Sequence, residues 1–92
     1  MLKLEYTAKF KKDFKRIRKQ GRDLDKLKEV FQLLLEGKAL PERMRDHALL
    51  GAYGNHRECH IEPDWLLIYR IDNERLVLTA TRTGSHSELF NE

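Results

Sequence analysis

Arg57-Glu-Cys-His60-Ile-Glu-Pro63-Asp64-Trp65-Leu-Leu-Ile-Tyr69-Arg-Ile-Asp72-Asn73-Glu74-Arg75-Leu-Val-Leu-Thr-Ala-Thr-Arg82-Thr83 is the stretch that decides the fold. It holds three short β-type segments, about Arg57–Ile61, Trp65–Ile71 and Arg75–Thr83. Glu62-Pro63-Asp64 and Asp72-Asn73-Glu74 separate them, and their Pro, Asp and Asn residues suit tight turns. Connections this short join antiparallel neighbours, so the stretch predicts a β-meander.

Upstream, Leu2, Leu4 and Tyr6 alternate with Lys3 and Glu5, the period of a short strand. Thr7 is placed to cap a helix whose apolar stripe is Phe10, Phe14 and Ile17, with Gly21 as its stop. Asp23 caps a second helix with the stripe Leu24, Leu27, Val30, Phe31, Leu34 and Leu35, ended by Gly37 ahead of Pro41. The short link predicts an antiparallel helical hairpin. Residues 42–56 carry turn chemistry at Gly51, Gly54 and Asn55, with little periodicity. Downstream, Gly84 breaks the last strand. Ser85-His86-Ser87-Glu88 has the form of a capping box that starts one helical turn ending near Phe90. The expected fold is α+β, β-α-α-β-β-β, with two N-terminal helices packed on an antiparallel sheet and a short C-terminal helical turn.

Ninety-two residues make one domain, 1–92, with one modest core. Hydrophobic residues at 40% suffice for that core, and charged residues at 36% exceed the usual quarter. The longest apolar runs, such as Trp65–Tyr69, are far short of the ~20 residues that span a bilayer. Met1–Glu5 carries a charge at every second position and is no secretory segment. A single cysteine, Cys59, excludes an intramolecular disulfide, and its parity with Ile61 makes it a buried small hydrophobe. A soluble cytoplasmic domain is expected.

The net charge of +3 is unevenly spread. Residues 1–46 hold 14 basic and 8 acidic side chains, whereas residues 47–92 hold 4 and 7. All four histidines, His47, His56, His60 and His86, lie in the second half. A basic half suits a polyanion or an acidic protein, although such a run is also what the solvated face of a helix looks like. The meander brings His60, Asp64, Arg82 and His86 toward one sheet end, with His47 just before it and Trp65 and Phe90 as aromatic surface. His56 falls in a Gly-Asn loop and is expected to be exposed.

Each residue has a plainer role available. A strand histidine is often just hydrogen-bonded, Asp64 after Pro63 is good turn chemistry, Arg82 can pair with a carboxylate, and Trp65 suits a core. Jointly, two chemistries fit. A His-His-Asp metal site is disfavoured because His60-x-x-x-Asp64 crosses a turn and a metal leaves Arg82 without a purpose. Acid–base cleavage of a phosphodiester uses more of the set: histidines as acid and base, Arg82 against developing phosphate charge, and Trp65 or Phe90 as a stacking surface. A non-catalytic RNA-binding module stays open beside it.

Three ordered pieces carry a resemblance: Asp46-His47-Ala-Leu-x-Gly51, Arg57-Glu-Cys-His60-Ile-Glu-Pro63-Asp64-Trp65-Leu-Leu-Ile-Tyr69, and Arg82-Thr-Gly84-Ser-His86-Ser-Glu-Leu-Phe90. Over nearly its whole length the chain resembles the YafQ-type branch of the RelE/ParE toxin superfamily. That resemblance implies a RelE-like fold and a type II toxin that cleaves mRNA in the ribosomal A site without a metal or other cofactor. The 2′-hydroxyl attacks the adjacent phosphate, giving a 2′,3′-cyclic phosphate and a 5′-hydroxyl. It further implies His47, His60, Asp64 and His86 as catalytic residues, Arg82 as the phosphate contact, and Trp65 and Phe90 at the substrate. A ParE-like gyrase poison, the other branch, lacks such a histidine-rich site. Lys9, Lys11, Lys12, Lys15, Arg16, Lys19, Lys26 and Lys28 are expected to contact ribosomal RNA phosphates. The expected partners are the ribosome with its mRNA and a cognate antitoxin with an acidic, partly disordered segment. A monomeric toxin is expected to enter a hetero-oligomer with it, by one of two routes that stay open, occlusion of the histidine cluster or blocked ribosome access, with the unmatched charge on the helices leaning to the second.

Overall fold

The structure is a computed structural model that describes residues 1–90. Strand β1 (Lys3–Tyr6) leads into helices α1 (Ala8–Lys19) and α2 (Leu24–Leu35). The meander is β3 (Arg57–Glu62), β4 (Trp65–Asp72) and β5 (Val77–Gly84), preceded by a two-residue strand β2 (His47–Ala48) and followed by α3 (His86–Phe90). The expected caps are in place. Thr7 Oγ1 accepts from the Phe10 N–H at 3.0 Å and donates to the Thr81 carbonyl at 2.7 Å, tying the start of α1 to β5. Asp23 accepts from the Asp25 N–H at 3.0 Å. Among the described residues, no helix is long and apolar enough to cross a membrane.

The sheet order is β1-β5-β4-β3-β2. The meander pairs antiparallel as expected, but the sheet is mixed: β1 lies parallel to β5, Lys3 opposite Val77 and Tyr6 opposite Ala80. This pairing joins the first strand to the last, and its direction is set by how the chain returns from α1 and α2 rather than by any local turn. Two other boundaries differ. β2 pairs His47 with Glu58 inside the stretch read as turn-rich. β5 begins at Val77, not Arg75, because the Asp72 carboxylate accepts the Glu74 and Arg75 N–H groups at 3.0 and 3.1 Å and keeps those residues in the turn.

One sheet face packs against α1 and α2. There Phe10, Ile17, Leu27, Val30 and Leu34 meet Cys59, Trp65, Leu67, Tyr69, Leu78 and Ala80. On the other face Leu66, Ile68 and Leu89 form a smaller cluster with Leu49, Tyr53 and Phe90 packed on it. A β-bulge divides β5 between the two: Tyr69 pairs with Ala80, Ile68 with Arg82, and Thr81 is the extra residue. Leu78, Ala80 and residue 82 share sequence parity, and Leu78 and Ala80 are core. The inserted residue turns Arg82 away from that core onto the face of Ile68, and puts Thr83 inside it.

β5 ends on Gly84, whose φ of +153° is a conformation that L side chains rarely adopt. A Cβ there meets Arg16 Nη2 at 2.8 Å and Glu88 Oε1 at 2.9 Å. Glu88 is also the far half of the capping box: its Oε1 accepts the Ser85 N–H at 2.8 Å, and its own N–H donates to Ser85 Oγ at 3.2 Å. Gly84→Ala is therefore expected to cost about 1–3 kcal/mol in urea unfolding and to loosen α3; a variant as stable as the parent would show that neither the backbone nor the contact is restrictive.

Candidate active site

Cross-strand pairing builds the site. His47 lies opposite Glu58, Glu58 opposite Ile68, and Ile68 opposite Arg82, one row across β2, β3, β4 and β5. Residues paired in this way share a face, so this row lies on the face of the smaller cluster. The next row on that face is His60, Leu66 and Gly84. The chain then turns at Ser85 into α3, which sets His86 beside His60. The ring centroids are 5.6 Å apart for His60 and His86 and 6.5 Å for His47 and His60. Strands stand ~4.8 Å apart, so the β2 and β5 ends of the row are separated by about 14 Å, the scale of an extended nucleotide segment.

Each histidine has an orienting partner. The Asp64 carboxylate takes both the His86 Nδ1 at 2.8 Å and the His86 backbone N–H at 3.1 Å. With a carboxylate on Nδ1, that nitrogen carries the proton, and Nε2 of the neutral ring is the acceptor. The His86 side chain, then its backbone N–H, holds the Asp64 carboxyl below the usual carboxylate range. His47 Nδ1 donates to the Arg45 carbonyl at 2.6 Å, which again leaves Nε2 for chemistry. Glu58, only 5% exposed, lies between two imidazoles, 3.7 Å from His47 Nε2 and 3.5 Å from His60 Nε2. Asp46 braces the strand that carries His47, accepting from the Tyr69 hydroxyl at 2.5 Å and Arg57 Nε at 3.2 Å.

Arg82 is held from behind. Asp13, 2% exposed in the middle of α1, accepts Arg82 Nε at 2.6 Å and Nη2 at 3.0 Å, Arg16 Nη2 at 3.0 Å and the Thr83 N–H at 3.2 Å. Its carboxylate keeps the Arg82 guanidinium charged, well above the ordinary arginine range, with the Tyr53 hydroxyl assisting.

The structure revises several expectations. Trp65 is fully buried, its Nε1 donates to Thr83 Oγ1 at 2.9 Å, and the Arg22 guanidinium covers the ring at 5.4 Å. It is a core residue and offers no face to a base. Phe90 is half-buried, edge-on to Tyr53 at 6.2 Å, on the face that carries Arg82. Arg16 is not free on the helix surface but bridges Asp13 and Glu88, 3.0 Å from each. Lys26 pairs with Glu62 at 2.7 Å. Lys9, Lys11, Lys12, Lys15, Lys19 and Lys28 are exposed. His56 is half-buried, against Gly54 and Tyr53, and stands apart from the cluster. Sequence reading missed Glu58 and Asp13. Both were signalled: Glu58 shares strand parity with His60, and Asp13 interrupts the apolar stripe Phe10-Phe14-Ile17 with a charge.

Glu58, His60 and His86 each offer a ligand atom within 4.8 Å of the others. Two imidazoles and a carboxylate fit a divalent zinc- or copper-like ion. The trio differs from the His-His-Asp set weighed from the sequence.

Because the folded Asp64 carboxyl sits low, its bond to α3 is fully made above the ordinary aspartate value of about 3.9 and is lost as pH falls below it. Amide exchange at the His86 N–H is expected to lose its protection over that acid window, and Asp64→Ala to lack protection at every pH. An acid step that persists in Asp64→Ala would assign it to another group.

A family model described as the bacterial toxin YafQ of type II toxin–antitoxin systems matches residues 2–91. The mRNA interferase toxin YafQ of Escherichia coli K12 is 39% identical over 88 residues, 95% of this chain and 94% of that one. The crystal structure of a metal-bound toxin from Helicobacter pylori superposes with a TM-score of 0.92 at 43% identity, covering 98% of this chain and 100% of that one. The E. coli YafQ in a crystallised DinJ–YafQ toxin–antitoxin complex superposes at 0.86 with 38% identity, covering 97% of each chain. With residues 2–91 matched and its histidine site assembled, the chain belongs to the YafQ family of bacterial toxins of type II toxin–antitoxin systems.

Proposed function

We propose that this toxin is a ribosome-dependent mRNA endoribonuclease that cuts in the A site by metal-independent acid–base chemistry. The observation that carries the reading is the set of three imidazoles around Glu58, with His86 locked by Asp64, on the same sheet face as an arginine fixed by a buried aspartate. One imidazole accepts the proton of the 2′-hydroxyl as that oxygen bonds to phosphorus. Another gives a proton to the departing 5′-oxygen as the P–O5′ bond breaks. The products are a 2′,3′-cyclic phosphate and a 5′-hydroxyl, with no net change in protons. Arg82 faces the charge that builds on the phosphate oxygens. His86 stands nearest the reacting atoms, His60 and His47 exchange protons beside Glu58, and Phe90 with Tyr53 supplies the aromatic surface, with Trp65 buried in the core.

The exposed lysines of α1 and α2 suit ribosomal RNA phosphates. A cognate antitoxin is the partner, as DinJ is for the E. coli toxin. An acidic segment that folds on binding fits these helices, and the larger unmatched charge there favours blocked ribosome access over occlusion of the cluster.

His86→Ala is expected to lower cleavage on programmed ribosomes by about 10²–10⁴-fold while leaving the fold and ribosome binding intact. A folded His86→Ala protein with full activity would falsify its role, and one that keeps toxicity without cleavage would favour a binding module. Toxin treated with EDTA, then freed of chelator before it meets Mg²⁺-containing programmed ribosomes, is expected to keep its activity. Since Glu58, His60 and His86 fit an ion, loss of activity in the stripped toxin and its return with a zinc- or copper-like ion but not with Mg²⁺ alone would establish the metal reading instead.

Replacing Lys11, Lys12 and Lys15 by Gln is expected to weaken ribosome binding and to flatten its salt dependence by up to ~0.9 per lost contact. An unchanged slope would mean that the lysines form only a solvated face.

A further inference from the structure

A cleft of about 600 Å³ opens beside His60 and His86, and its far wall carries Lys26, Arg43 and Arg45. This wall is preorganised. Met44 between the two arginines is 5% exposed and anchors a 3-10 turn, Glu42–Met44, in the core. Its neighbours therefore project outward, and both are exposed. The turn closes through Met44 N–H to the Pro41 carbonyl and Arg45 N–H to the Glu42 carbonyl, each at 3.0 Å. Arg45 then takes a left-handed backbone, φ 48° and ψ 44°, which aims its carbonyl at His47 Nδ1. The residue that orients one histidine also extends a guanidinium along the same cleft.

The charges on this wall are poorly compensated. Glu62 is shared by Lys26 at 2.7 Å and Arg22 at 3.7 Å. Among the described residues neither Arg43 nor Arg45 joins an ion pair. The Glu62 carboxylate raises the Lys26 pKa, and the nearby Arg43 charge opposes that rise. Two guanidiniums that line one cleft with no carboxylate paired to either favour an anion beside them, and arginine forks match phosphate oxygens. Arg82 stands at the other end of the row, on β5, whereas this wall adjoins β2.

We propose that Arg43 and Arg45 form a second phosphate subsite, which takes an RNA phosphate flanking the scissile one while Arg82 faces the scissile phosphate itself. The subsite rests on the ribonuclease reading above. It fixes the strand at both sides of the histidines, so that the 2′-oxygen, the phosphorus and the leaving oxygen are held in line.

The test reads binding and cleavage separately. Ribosomes are programmed with an mRNA carrying 2′-O-methyl groups in the A-site codon, so that it cannot be cut. A neutral methylphosphonate replaces the phosphate on one or the other side of the target bond. The parent toxin is expected to bind one of these mRNAs about tenfold more weakly, the scale of one charge-assisted hydrogen bond. The R43Q/R45Q variant, whose exposed substitutions leave the turn intact, is expected to bind the all-phosphate mRNA about tenfold more weakly than the parent and to be indifferent to both replacements. Equal losses for parent and variant, or none for either, overturn the subsite. So does a variant that binds ribosomes normally but loses affinity for the antitoxin, which would assign the arginines to that partner. Cleavage of the unmodified mRNA is followed in parallel. A parent that shows the binding pattern but never cuts contradicts the ribonuclease reading and leaves the subsite standing, whereas a parent that cuts without the pattern does the reverse.

Discussion

The Asp13 carboxylate is the constraint on which the rest of the structure depends. It is buried, and four donors converge on it from two elements: two from Arg82, one from Arg16 and the Thr83 N–H. A buried charge left with too few partners is expensive, and breaking such a pair typically costs about 3–5 kcal/mol. The carboxylate is satisfied only when α1 lies against the bulged end of β5. Arg16 then carries the lock onward to Glu88, which closes the capping box of α3. Burial works to raise the Glu88 pKa, but the Ser85 N–H, Gln20 and Arg16 together hold the carboxyl low. Through this chain of contacts, one aspartate in the first helix places both Arg82 and the helix that begins with His86.

The proton-handling side of the site follows a different logic. Asp64 and the Arg45 carbonyl each take the Nδ1 of one histidine, so the Nε2 atoms of His86 and His47 remain available. Glu58 faces two imidazoles from a nearly solvent-free position. The same proximity gives Glu58, His60 and His86 the spacing of a metal-ligand trio, and an ion held there takes up the nitrogens needed for proton transfer. Structural cysteine chemistry is absent from this picture: burial pushes the Cys59 thiol up to about 12, an inert core group.

Local patterns were legible because they depend on neighbours within a few residues. The sequence by itself determined the two helices and their Thr7 and Asp23 caps, the three strands and two turns of the meander, the Ser85–Glu88 capping box, and the nearness of His60, Asp64 and His86. Tertiary structure alone decided the parallel seat of β1 on β5, since strand direction between chain ends has no local signature. It also decided the bulge at Thr81, which exchanges the faces of Arg82 and Thr83; the insertion is selected by the burial of Thr83 against Trp65 and the pull of Asp13, both remote in sequence. Trp65 passed into the core for the same reason, because its indole N–H found Thr83 Oγ1 there. Glu58 and Asp13 gained their roles only when folding brought imidazoles to one and guanidinium groups to the other. Hydrophobic period and turn chemistry act over one or two helical turns, whereas the partner of a buried charge is supplied by whichever distant segment packs against it.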